Sequence, residues 1–99
     1  SITLYDFIDR FCNKLDLSQK DITSIKIICD NSESLKLISE NTPPSMAAGC
    51  IYLYLKMNNM PIHKKVLSDV CKISEVTVNK CYKKLENNKD KLSKNIPKK

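Results

Sequence analysis

Residues 64–85 read KKVLSDVCKISEVTVNKCYKKL. The pattern predicts two short helices joined by a tight turn, together a helix-turn-helix over 64–86. Val78, Cys81, Tyr82 and Leu85 recur at i, i+3, i+4 and i+7, which places apolar groups on one side of the second helix. Val76, Asn79, Lys80 and Lys83 recur with the same spacing on the other side and carry amide and ammonium groups. A helix held by its back and offering such a front has the layout of one presented to a DNA groove.

The faces assign roles. Val76, Asn79 and Lys80 are the candidates for base contact. Val76 suits a thymine methyl, its alternative being to pack on the preceding helix. Asn79 can instead simply face solvent, and Lys80 can also grip a phosphate. Lys64, Lys65, Thr77, Lys83 and Lys84 are the candidates for phosphate contact, which positions a protein on DNA without reading sequence. Thr77 has the alternative of capping and packing. Lys89, Lys91, Lys94, Lys98 and Lys99 read as solvated charges.

The charge distribution agrees with that placement. The net charge is +6, but residues 1–49 carry five basic and seven acidic groups while residues 50–99 carry twelve and four. This asymmetry points to a polyanion as the partner of the second half, the alternative being ordinary solvated lysines, above all in the tail. A single glycine, a hydrophobic fraction of 41% and long 3.6-residue periodicity indicate an all-α fold in one domain over 1–92. Residues 93–99 read as a flexible basic tail. No apolar run approaches the ~18 residues a membrane span requires. The chain opens on Ser1 with no signal-peptide pattern, so it is expected to be excised from a longer protein.

Five cysteines, Cys12, Cys29, Cys50, Cys71 and Cys81, raise the question of a metal or a disulfide framework. Their number is odd, no two form a Cys-x-x-Cys pair, and the sole histidine is His63. Four of them, all but Cys29, lie in apolar stripes or runs, where a free thiol behaves as a small hydrophobe. The expectation is core thiols, no metal, no cofactor, and a reducing compartment such as cytosol or nucleus.

Outward from 64–85, four other elements complete a five-helix reading. Thr3 and Asp6 form a capping box opening a helix with Leu4, Phe7, Ile8, Phe11, Cys12 and Leu15 on one face. Ser18 and Asp21 cap a second helix carrying Ile22, Ile25, Ile28 and Cys29, whose pattern weakens through 30–33. Ser39-Glu40-Asn41 is a polar loop. Thr42-Pro43-Pro44 then starts a third helix, with proline where the missing N–H costs least. That helix, 43–57, is apolar nearly all round from Ala47 to Leu55 and is the expected hub, with Gly49 permitting close helix contact. Asn58-Asn59-Met60-Pro61 is a loop. Helix four follows with Val66, Leu67, Val70 and Cys71, and helix five starts at Glu75.

These residues carry a resemblance. TPPSMAAGCIYLYLKMNN at 42–59 and VLSDVCKISEVTVNKCYKKL at 66–85 resemble the second cyclin-like repeat of the general transcription factor IIB family, and DFIDRFCNKLDL at 6–17 is similar to that repeat's first helix. The likeness covers about residues 3–92. It implies a five-helix cyclin box with a carboxy-terminal helix-turn-helix that lies in the major groove beside the TATA element. The implied partners are promoter DNA, TATA-binding protein and, through the rest of the parent protein, an RNA polymerase (II or viral type). The implied place is the nucleus or a viral or cytosolic transcription compartment.

Departures from the family pattern are informative. Asn79 stands where the family has arginine; arginine reads guanine, whereas asparagine fits the edge of adenine, so an altered base preference is expected. Lys72 occupies a turn position that commonly holds glycine, and His63 a capping position that often holds threonine. Val66 replaces an acidic residue. Two other readings stay open: a cyclin-like module that binds only protein, and the related factor of RNA polymerase III. An enzyme is disfavoured by the single histidine and by the absence of a phosphate-binding glycine loop or paired carboxylates. No small-molecule substrate is expected.

Overall fold

Helix 43–57 has no polar face to offer solvent, so the other elements assemble around it. In the computed structural model, which describes residues 2–38, 40–60 and 62–97, this helix (α3, Pro43–Met57) packs against α1 (Leu4–Lys14), α2 (Gln19–Ser34), α4 (Lys64–Cys71) and α5 (Glu75–Glu86). Every residue from Ser45 to Leu55 is buried. A short α6 (Lys89–Leu92) closes the chain against α2. Ser39 and Pro61 of the two expected loops, and Lys98 and Lys99 of the expected tail, lie outside the described residues.

The local signals act as the sequence dictates. The Thr3 and Ser18 hydroxyls accept from the backbone N–H groups of Asp6 and Asp21, whose carboxylates accept in return from Thr3 and Ser18. Pro43 and Pro44 fill the first turn of α3 and lack two of the N–H groups that would otherwise need partners. The Thr42 hydroxyl donates to Ser45 Oγ at 2.9 Å instead of capping the backbone.

Four helices end alike, without glycine. Asp16, Lys36, Asn59 and Lys72 all have φ between 53° and 57°. After each, the next N–H reaches five residues back: Leu17 to Cys12, Leu37 to Ser32, Met60 to Leu55 and Ile73 to Ser68. Leu17, Leu37, Met60 and Ile73 pack against the core, the apolar contact that accompanies such endings. A side chain in this left-handed region costs about 1–2 kcal/mol, more than glycine would. Lys72→Gly is therefore expected to raise stability by roughly 1 kcal/mol. Urea denaturation of the two proteins checks this, and equal midpoints would refute it.

The structure departs from the sequence reading at four places, the first being the sixth helix, α6, where five were expected. The weak stretch 30–33 stays helical to Ser34, with the buried Ser32 hydroxyl donating to the Cys29 carbonyl at 2.8 Å. Val66, counted with the apolar residues of helix four, is exposed, and Leu67 and Cys71 carry the burial. The start of the expected flexible tail is tied down. Asn31 Nδ2 donates to the carbonyls of Leu92 (2.8 Å) and Lys94 (2.9 Å), and Ile96 packs on the core.

Candidate nucleic-acid interface

The helix-turn-helix is built from the core outward. Val78, Cys81, Tyr82 and Leu85 are buried and fix the back of α5. Gly49 on α3 faces Cys81, and a Cβ added there would fall 2.9 Å from Cys81 Cβ and closer still to its sulfur. This contact sets how deeply α5 seats. The turn is closed by left-handed Lys72 and by the Ser68 hydroxyl, which donates to the Ile73 carbonyl. Ser74 then caps α5, accepting from the Thr77 N–H at 3.1 Å and donating to the Thr77 hydroxyl at 2.9 Å. His63 begins α4 without a side-chain cap.

The opposite face of α5 lies open. Val76 is 63% exposed, so it is not packed on the preceding helix. Lys80 is exposed and has no ion-pair partner among the described residues. Lys83 lies beside it, 3.6 Å from Glu86 and 5.9 Å from the Tyr82 ring centre. The Glu86 carboxylate also accepts from the Tyr82 hydroxyl at 2.6 Å, which holds its pKa below the usual value. Burial, aided by the same bond, pushes the Tyr82 hydroxyl up to about 12. Glu86 therefore stays ionised and tempers the charge of Lys83.

The remaining candidates are more occupied. Lys65 pairs with Asp69 at 3.8 Å on the surface of α4, a contact of little energetic weight that a phosphate can displace. Lys84 donates to Asn41 Oδ1 at 3.2 Å, on the loop that precedes α3. Thr77 is engaged by Ser74. The structure thus brings Val76, Asn79, Lys80 and Lys83 onto one face, with Thr77 and Lys84 flanking it and Lys65 on α4.

One cluster was not visible in the sequence. Lys64 Nζ donates to Asn79 Oδ1 at 2.7 Å and sits 5.7 Å from the centre of the Tyr52 ring. Tyr52 in turn meets Tyr82 edge-on, with ring centres 4.9 Å apart and planes at 85°. Helical periodicity marks Tyr52 and Tyr82 only as core. It cannot show that residues 64 and 79, on different helices, touch.

The five cysteines are free and buried. Burial pushes the thiols of Cys12, Cys71 and Cys81 up to about 12 and that of Cys29 well above its ordinary value. Among the described residues no three His, Cys, Asp or Glu side chains gather as a metal site, and no helix is long and apolar enough to cross a membrane.

Helices packed round an apolar central helix, with a helix-turn-helix along one edge, define an all-α domain of the cyclin type. Residues 2–88 match the family model described as the transcription factor TFIIB repeat, and the chain belongs to that family. It is 38% identical over 81 residues to a putative transcription initiation factor IIB-like protein of Acanthamoeba polyphaga mimivirus, covering 81% of this chain and 17% of that protein. It is 30% identical to transcription initiation factor IIB 2 of Thermoplasma acidophilum (84% of this chain, 27% of that one). With transcription initiation factor IIB of Dictyostelium discoideum it shares 27% identity over 93% of its own length and 28% of the relative's. The chain thus spans less than a third of these relatives. Its relatives are named as initiation factors, and the coarse role, a transcription-initiation repeat, follows from the family.

Proposed function

We propose that this repeat binds promoter DNA through its helix-turn-helix, with α5 in the major groove beside the TATA element. Val76, Asn79 and Lys80 face base edges. Lys65, Thr77, Lys83 and Lys84 lie towards the phosphates, and Lys64, the remaining phosphate candidate, is engaged with Asn79. The repeat acts with TATA-binding protein, and the parent protein recruits an RNA polymerase, in a nucleus or a viral transcription compartment. It does so by binding, with no catalytic step and no cofactor in this segment.

The observation that carries this reading is the two-sided character of α5. Its apolar side is buried, while Val76 and Lys80 stand free on its outer side. A single exposed valine is ordinary on a solvated surface, but Val76 shares its face with Asn79, Lys80 and Lys83, and a thymine methyl beside a phosphate backbone suits that combination.

NMR titration of the labelled chain with a short promoter-like duplex, at low and moderate salt, tests the proposal. Amide shifts are expected to cluster on Lys65 and on 76–83 and to weaken steeply with salt. Each phosphate contact adds about 0.9 to the slope of log K against log salt, so Lys83→Ala should flatten the slope by roughly that amount. Binding of about 10⁻⁴ to 10⁻⁶ M is enough for detection. If the amides of 76–83 stay still while the fold persists, the reading fails and a protein-binding cyclin module replaces it.

A further inference from the structure

We infer that Lys64 and Asn79 act as one composite reader of guanine, with Lys64 the residue that sets base specificity at that position. The inference rests on α5 being the base-reading helix. An isolated asparagine reads adenine with both ends of its amide: Oδ1 accepts from N6 and Nδ2 donates to N7. Here the Oδ1 end is taken by the Lys64 ammonium at 2.7 Å. An ammonium has three donors and no acceptor, so its presence fixes which end of the amide is oxygen. The Tyr52 ring holds the same ammonium from behind, at 5.7 Å from its centre, and the edge-on contact with Tyr82 fixes that ring. Both Lys64 and Asn79 are half-buried, which limits the alternatives open to them.

The pair therefore offers a groove two neighbouring donors, Asn79 Nδ2 and a remaining Lys64 N–H. Guanine presents two neighbouring acceptors, N7 and O6, whereas adenine presents its N6 amino group where O6 would be. Adenine would set a donor against the ammonium. A donor pair facing N7 and O6 is the pattern an arginine offers, and arginine is the residue the resemblance places at position 79. Lys64 is thus a positioning and specificity residue, and the adenine preference expected of Asn79 alone is reversed.

Selection from a randomised duplex library at low salt, using the unaltered chain, Lys64→Met, Lys64→Arg and Asn79→Ala, decides the matter. The position concerned is the one whose preference disappears in Asn79→Ala. The unaltered chain and Lys64→Arg are expected to select guanine there. Lys64→Met, which keeps the stem over Tyr52 but donates nothing, should shift the preference towards adenine by at least about fivefold. Adenine selected by the unaltered chain, or guanine retained by Lys64→Met, overturns the inference while α5 remains a base reader. Failure of any sequence to be enriched removes the reading of α5 itself, and the inference with it. A displaced Asn79 side-chain amide resonance in DNA-free Lys64→Met is the accompanying sign that the contact was broken in solution.

Discussion

Gly49→Ala is expected to destabilise the domain by about 2–3 kcal/mol, although alanine is the better helix former by ~1 kcal/mol. The added methyl falls 2.9 Å from Cys81 Cβ and nearer still to its sulfur. Cβ of residue 81 is fixed by the α5 backbone, so relief requires α5 to move off α3. Both helices are buried along this seam, with Ala48, Cys50, Val78 and Leu85 all fully inaccessible, and no flexible chain end is available to yield. For a domain of this size the loss corresponds to a fall in melting temperature of roughly 8–20 °C. Thermal unfolding followed by circular dichroism measures it. Combining Gly49→Ala with Cys81→Ala should recover part of the loss, because removing the sulfur relieves the closest contact. Additive costs in that double variant would show that the seam is not the cause. DNA affinity should fall together with stability, since α5 is aimed by this contact.

Local physics made much of this fold legible. Two capping boxes, a proline start and apolar stripes each act within one or two turns, and each placed its helix correctly. The glycine in the middle of an otherwise apolar helix pointed to close packing, and Gly49 against Cys81 is that contact. The resemblance at 42–59 and 66–85 also led to the right family. What remained hidden depends on long-range partners. Lys36 gives no sign that it turns left-handed, and Asp16 and Asn59, residue types that tolerate that region, give only a weak one, because glycine, the usual marker, is absent and the core contact of the following residue makes the turn. Asn31 reads as a helix-weakening residue, yet it binds carbonyls 61 and 63 residues away.

The candidate interface divides in the same way. The two faces of α5 follow from periodicity alone, and burial of Val78, Cys81, Tyr82 and Leu85 agrees with them. Which lysines are free does not follow. Lys80 and Lys64 look alike in sequence, but only Lys64 meets an asparagine on another helix, with an aromatic ring behind it. The nature of residue 79 suggested a lost guanine contact. The neighbour that changes its meaning lies fifteen residues earlier in the chain.

Raising the pH above 9 under reducing conditions is expected to unfold the domain cooperatively. In the unfolded chain the cysteines titrate near 9.0, whereas burial holds Cys12, Cys71 and Cys81 at about 12 and Cys29 well above 9.0. Between those limits the unfolded state has lost protons that the folded state retains, so stability falls as pH rises. Below pH 9 the thiols are protonated in both states and their contribution is fully present. Each thiol removes about 1.4 kcal/mol per pH unit, so the three held at about 12 together remove ~4 kcal/mol per unit, and Cys29 acts in the same direction. Tyr54 and Tyr82, both raised by burial to about 12 from an ordinary value of 10.0, act with the same sign at higher pH. A small domain with about 5–15 kcal/mol to lose should unfold within roughly one to three units above 9. Helical circular dichroism and thiolate ultraviolet absorbance, followed in one titration, distinguish the cause. Absorbance that rises only as helicity collapses supports burial of the thiols as the driving term. Absorbance that rises near pH 9 with helicity intact would mean that the thiols ionise in the folded protein, and that the core around Gly49 and Cys81 is looser than its packing implies.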